Sequence, residues 1–203
     1  MKIAISTGHS ELDPGAIAFN GTKEYFLNCN LVKEIEQLSL PDVEWWRSDV
    51  KCEKYGYPKH LNCTIDSINK SEAIACVEIH HNASINKSVR GGMAIYWDTS
   101  VKGKMLSNAI AYYLHWMPYF NFGAFKGYWK NVQHKYYKAG SLATQRHIKR
   151  RLAFLRYTDI PACIIEPAFI SNVDDYFFAV AYVKPIARAI RDGVALYLST
   201  QYN

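Results

Sequence analysis

Apolar positions along the chain follow two rhythms. Short, nearly continuous runs such as Ile3-Ala4-Ile5, Ala73–Ile79 and Ala162–Ile165 alternate with stretches in which apolar residues recur every three or four positions. The first rhythm belongs to strands buried on both faces, the second to helices with one buried face. Strands are predicted at Lys2–Gly8, Val43–Arg47, Ala73–Ile79, Met93–Trp97 and Pro161–Glu166. Helices are predicted at Lys23–Leu38, where Leu27, Leu31, Ile35 and Leu38 share a face, and at Pro58–Asn69, with Leu61, Ile65 and Ile68. Further helices are expected at Val101–Trp116, Leu142–Arg151, Asn172–Ala181 and Val183–Thr200. Punctuation agrees: Asp13-Pro14-Gly15 makes a turn, Pro41 ends the first helix and Pro118 follows the third. The aromatic and basic stretch Tyr119–Gly140 fits neither rhythm. Strands alternating with helices predict an α/β fold: one domain over residues 1–203, with a twisted, mostly parallel sheet of about six strands and helices on both faces.

Composition narrows the class. The chain has 203 residues, 49% hydrophobic and 21% charged, enough for one sizeable core and unlike a disordered chain. The formal net charge of +6 favours an anionic partner without choosing one. From Lys126 to Arg151 there are eight Lys or Arg and no acid, interleaved with Tyr128, Trp129, Tyr136 and Tyr137. That segment is either a solvated basic face or a surface that docks on an anionic polymer. The five cysteines, Cys29, Cys52, Cys63, Cys76 and Cys163, contain no CxxC pair, which excludes a zinc ribbon or thioredoxin motif. Reduced, mostly buried thiols are the simplest expectation and suggest folding in a cytosol. The apolar run after Met1-Lys2 is too short for a signal peptide and no stretch suits a membrane span.

Polar residues gather where open α/β sheets bind ligands, at strand ends and helix starts. Gly8-His9 follows the first strand, His80-His81-Asn82 follows Ala73–Ile79, Glu166 ends Pro161–Ile165, and Glu24 starts the first helix. Each alone has a bland account. A histidine after a strand is commonly a hydrogen-bonded structural residue, and a first-turn glutamate suits the helix dipole. A carboxylate straight after four apolar residues is costly unless paired or used. Together, two histidines and two glutamates fit a His₂Glu zinc site with an open position, plus a carboxylate off the metal to act as base.

These residues resemble the type 3 zinc family of N-acetylmuramoyl-L-alanine amidases. The family's Gly-His-Gly-Gly-x-Asp-Pro-Gly-Ala is similar to Gly8-His9-Ser10-Glu11-Leu12-Asp13-Pro14-Gly15-Ala16. Its helix-start Glu and later Asn-Leu pair resemble Glu24 and Asn30-Leu31; its Arg-Ser/Thr resembles Arg47-Ser48. Ser-Ile-His-x-Asn-Ala resembles Glu78-Ile79-His80-His81-Asn82-Ala83, and the Gly-rich strand resembles Arg90-Gly91-Gly92 through Tyr96. The closing pattern resembles Leu155-Arg156, Pro161-Ala162 and Glu166-Pro167-Ala168-Phe169-Ile170-Ser171-Asn172. Ser10-Glu11 in place of Gly-Gly, Glu78 in place of Ser, and Pro167-Ala168 in place of x-Gly depart from the family without removing a ligand or the base.

The resemblance implies Zn²⁺ held by His9, Glu24 and His80, with Glu166 as catalytic carboxylate and His81 flanking. It implies hydrolysis of the amide between N-acetylmuramic acid and L-alanine in peptidoglycan. Asn82 is the candidate substrate-binding residue, with orienting a ligand or shaping a turn as alternatives. Arg47 is read from its position as a structural charge partner. A monomer is expected, with peptidoglycan as partner, no nucleic acid, no membrane span and no separate wall-binding domain. The compact chain without a signal peptide suits a phage endolysin made in the host cytoplasm and acting on the wall after release; a bacterial enzyme freed by mother-cell lysis is the other setting. Rival readings are a zinc peptidase of the stem peptide and a non-catalytic wall- or nucleic-acid-binding protein. No GxSxG elbow and no HExxH occur, which disfavours serine hydrolases and zincin proteases.

Overall fold

The computed structural model describes residues 1–115, 141–143 and 152–202. In chain order the elements are β1 (Lys2–Thr7), α1 (Glu24–Glu36), β2 (Glu44–Arg47), α2 (Lys59–Asn69), β3 (Ala75–Ile79) and β4 (Met93–Tyr96). Then follow α3 (Val101–His115), β5 (Ser141–Ala143), α4 (Ala153–Tyr157), β6 (Ala162–Glu166), α5 (Val173–Ala181) and α6 (Val183–Tyr202). The six strands form one sheet in the order β2-β1-β3-β6-β4-β5. The pairings β2–β1, β1–β3, β3–β6 and β4–β5 are parallel, and β4–β6 is antiparallel.

The apolar runs build this sheet because both its faces are covered. Ile3, Ile5, Val77, Ile79, Cys163 and Ile165 point to one side and pack on Leu31, Val32 and Ile35 of α1, Leu106, Ile110 and Leu114 of α3, and Ile186, Ile190 and Val194 of α6. Ala4, Cys76, Ala162 and Ile164 point to the other, against Ile65 and Ile68 of α2 and Phe154 and Leu155 of α4. Each fully buried aliphatic side chain contributes roughly 1.5–3 kcal/mol. The α3–α6 crossing is close: a Cβ on Gly193 would lie 2.4 Å from the Ile110 Cα. Asn172 caps α5 by accepting the Asp175 amide at 3.1 Å, and Asp174 and Asp175 stand in its first turn. Pro185 falls in the first turn of α6, where its missing N–H costs no helix bond.

Two expectations need correction. A helix over Leu142–Arg151 is replaced at its start by β5, which extends the sheet beyond β4. The rest of that span, Tyr119–Gly140 and most of the basic segment Lys126–Arg151 lie outside the described residues. The thiols are not all reduced: Cys52 and Cys63 form a disulfide with Cα atoms 5.7 Å apart. It ties the loop after β2 to the middle of α2, a proximity set by the fold and invisible in the spacing. Cys76 and Cys163 are buried free thiols, and Cys29 is half-buried.

Candidate metal centre

Strands β1, β3 and β6 are adjacent and parallel, so their carboxyl ends lie side by side. The pairing continues one residue past the strands: the Gly8 amide donates to the Ile79 carbonyl at 2.7 Å and the His80 amide to the Ile165 carbonyl at 2.9 Å. His9, His80 and Glu166 therefore leave the sheet together. Glu24 arrives from α1, which the Asp13–Gly21 loop folds over the end of β1; its amide donates to the Ala16 carbonyl at 2.8 Å.

Glu24 is the hub and is almost fully buried. Its Oε1 stands 3.0 Å from His80 Nδ1 and accepts the His81 amide at 3.0 Å. Its Oε2 stands 3.3 Å from His9 Nε2 and accepts the Ala16 amide at 2.9 Å. Burial alone would push this carboxyl up, but hydrogen bonds and charge from His80 and His9 outweigh it and hold the group well below the usual range. Burial likewise disfavours a charged His80, yet the Glu24 and Glu78 carboxylates raise its pKa well above the ordinary value. The outer nitrogens of both histidines face further acids: His9 Nδ1 lies 3.6 Å from Asp13 and His80 Nε2 lies 3.3 Å from Glu78.

His9, Glu24 and His80 offer one ligand atom each within 4.8 Å of one another, a donor set that fits a metal ion. Ligands about 2.0–2.1 Å from a tetrahedral zinc stand about 3.3 Å apart, close to the carboxylate–imidazole distances here. The backbone makes room for this cluster. A Cβ on Gly8 would lie 2.1 Å from the His80 ring, and one on Gly15 2.5 Å from His9 and 2.6 Å from Glu24. His9 itself has φ 70°, a left-handed conformation that costs a side-chain-bearing residue roughly 1–2 kcal/mol. The carboxylate set behind the imidazoles is the usual second layer of a histidine metal site.

Glu166 stands at the same sheet end, held by a hydrogen bond from Asn82 Nδ2 to its Oε2. Asn82 is itself fixed: its amide donates to the Ala168 carbonyl at 2.8 Å and its carbonyl accepts the Ile170 amide at 2.9 Å. Its side chain thus holds the Glu166 carboxylate, a contact that none of the sequence alternatives named. His81 does not join the cluster. It is buried, its Nδ1 lies 2.8 Å from Asn28 Oδ1, and burial pushes its pKa down to about 4. Arg47 is a charge partner, bonded to Asp49 and, at 2.9 Å, to Glu53.

The sequence reading missed several supporting residues. Asn30, in the matched Asn-Leu pair, is exposed, while Leu31 enters the core. The asparagine that reaches the site is Asn28, one helical turn after Glu24, donating to the Gly8 carbonyl at 2.9 Å. That i, i+4 spacing was the available signal. Asp175 accepts the Gly91 and Phe169 amides at 2.9 and 3.0 Å and so ties the entry of β4 to the segment after Glu166. A cavity of about 190 Å³ opens beside His9 and His80, with Tyr57, His60, Leu61, Glu78, Phe154 and Ile164 among its walls. His60 is buried there, and burial lowers its pKa.

Comparison with known proteins identifies the family and the fold. Residues 3–195 match the family model described as N-acetylmuramoyl-L-alanine amidase. No curated protein matches by sequence. Among solved structures, the CwlD amidase of Clostridioides difficile, in complex with the GerS lipoprotein, is 22% identical with TM-score 0.74, over 98% of this chain and 99% of that one. The amidase AmiC2 of Nostoc punctiforme is 20% identical with TM-score 0.75, over 98% and 97%. The catalytic domain of the CD27L endolysin targeting Clostridia difficile is 25% identical with TM-score 0.69, over 96% of each chain.

Proposed function

The chain belongs to the N-acetylmuramoyl-L-alanine amidase family, and from that premise we propose that it is a zinc hydrolase of peptidoglycan with His9, Glu24 and His80 as ligands and Glu166 as acid–base catalyst. The observation that carries this reading is the convergence of three donor residues within 4.8 Å at the sheet end that also bears Glu166. Zinc, when bound, supplies Lewis-acid activation of water and of the scissile carbonyl. Glu166 takes a proton from the attacking water as its oxygen bonds to the lactyl carbonyl carbon. It returns the proton to the departing nitrogen as the C–N bond breaks, leaving a lactyl carboxylate and a new L-alanine amino terminus. Positioned proton transfer of this kind is worth ~10²–10⁴ in rate. Asn82 holds the Glu166 carboxylate in place for both transfers. The cavity beside His9 and His80, with Leu61, Phe154 and Ile164 as apolar walls, receives part of the substrate next to the reacting bond.

A role in phage lysis follows as the biological setting, supported by 25% identity to an endolysin catalytic domain. In that setting the protein is made in the host cytoplasm, works as a monomer, and meets the wall after release. A Cys52–Cys63 disulfide suits action outside the reducing cytosol. No helix among the described residues is long and apolar enough to cross a membrane. The test is mass spectrometry of purified sacculi digested by the zinc-loaded protein. New L-alanine amino termini without new reducing sugar ends are expected. Shortened peptides would assign a stem-peptide peptidase instead, and released disaccharides a glycosidase. Elemental analysis should find about one zinc per chain, lost in His9→Ala and His80→Ala together with activity.

A further inference from the structure

Glu78 is a carboxylate in the middle of the sheet. It sits on β3 between Val77 and Ile79, which face the apolar core, and is 4% exposed. Residues two apart on a strand share a face, so Glu78 and His80 project to the same side. There the Glu78 Oε2 lies 3.3 Å from His80 Nε2, while His80 Nδ1 lies 3.0 Å from Glu24 Oε1. As a metal ligand the imidazole is neutral, with one N–H and one lone pair, so in the zinc-loaded site the ring cannot donate to both carboxylates at once. Glu24 already accepts two backbone amides, from Ala16 and His81. A buried carboxylate on Glu78 needs a donor, since burial without one is expensive. The arrangement is satisfied when the proton sits on Nε2 and the Nδ1 lone pair looks toward Glu24 and His9. The amidase pattern that this segment resembles has a small serine at the position, so the carboxylate is this chain's own.

We propose that Glu78 is a positioning residue for the metal centre: it accepts the Nε2 proton of His80, fixes the ring's tautomer and orientation, and thereby sets zinc affinity without ligating the metal. The proposal rests on the zinc reading above. Partners of this kind typically change metal affinity by 10–100-fold.

The test uses the full chain, stripped of metal and titrated with zinc against a chromophoric chelator at fixed pH. Glu78→Ser, which removes the acceptor from reach, should bind zinc ~10–100-fold more weakly. Glu78→Gln, which keeps an acceptor oxygen without the charge, should fall between Glu78→Ser and the unaltered chain. Cobalt substitution supplies a second readout, because a turned His80 ring shifts the visible d–d bands. If Glu78→Ser fails to fold, the isosteric Glu78→Gln carries the comparison. Zinc affinities equal to the unaltered chain overturn the proposal while leaving the zinc reading intact. Unchanged affinity with a raised KM overturns it too, and makes Glu78 a substrate contact in the cavity it lines. An unaltered chain that binds no zinc removes the zinc reading and the proposal together.

Discussion

Gly8→Ala isolates the space that the site needs from every other property of its residues. The position has no left-handed φ, so an alanine there carries no backbone strain, and the substitution adds only a methyl group. That methyl would lie 2.1 Å from the Cε1 and Nε2 atoms of His80. Ordinary contact begins at 3.4 Å, so the ring must retreat by about 1.3 Å. Gly8 cannot yield instead, because its amide is bonded to Ile79 at 2.7 Å and its carbonyl to Asn28 at 2.9 Å. Zinc–ligand distances tolerate about ±0.2 Å, several times less than the displacement. Misplacement by about 1 Å typically costs ~10² in rate, and a comparable loss in zinc affinity is expected here. Local overpacking should lower the stability of the metal-free protein by no more than about 1–3 kcal/mol. The measurements are zinc affinity by chelator competition and denaturant unfolding of the metal-free chain. A Gly8→Ala protein that keeps full zinc affinity would refute the placement of the His80 ring against Gly8, and with it the ligand geometry.

Other outcomes follow from the same geometry. Glu166→Gln should keep zinc and fold but lose at least ~10² in turnover; near-normal turnover would make Glu166 structural, and loss of zinc would make it a ligand. Asn82→Ala releases the Glu166 carboxylate, so kcat should fall with KM little changed, whereas a raised KM with unchanged kcat would place Asn82 on the substrate. His81 should make the metal-free protein acid-sensitive. Its pKa is pushed down from 6.5 to about 4 by burial, so the unfolded chain binds the extra proton first. Stability contributed by the neutral ring is full above about pH 6.5 and is lost as pH falls toward 4, by up to about 3 kcal/mol. Removing the titrating ring in His81→Asn should flatten the stability profile between pH 6.5 and 4.5; an unchanged slope there would assign the acid loss to other groups.

The fold was legible wherever burial imposed a period. β1, β3 and β6 are central and covered on both faces, so their sequences are almost wholly apolar and their limits were read to within two residues. α1 and α6 press one face on the core and show helical spacing. α4 was not legible because five residues give a single turn, and its only cue is Phe154-Leu155 docking on the sheet. β5 was misread for a related reason. Three residues at the sheet edge carry no alternation to count, and helix-compatible residues follow directly. The Cys52–Cys63 pair escaped because the path between its ends is a turn-rich loop whose return toward α2 depends on tertiary contacts.

The site was legible in its chemistry and illegible in its support. His9, Glu24, His80 and Glu166 stood out because polar groups at the ends of buried strands need a reason to be there. Once β1, β3 and β6 are neighbours, those ends must converge, so the donor cluster is a consequence of strand order. What sequence could not supply is direction. Whether Asn28 or Asn30 turns inward depends on the rotation of α1, and only Asn28 lies one turn from Glu24 on the face that meets Gly8. Glu78 looked like a harmless exchange for serine until its carboxylate was seen opposite His80 Nε2. Gly8 was read as the end of the first strand and Gly15 as a turn residue, yet both are needed as absences of side chain: a Cβ at either would enter the space of the donor cluster. Of the departures from the family pattern, Glu78 thus bears on how His80 is held, while the proposed ligands and base match the pattern, and an altered support around a constant donor set tunes affinity and orientation more readily than it changes the reaction.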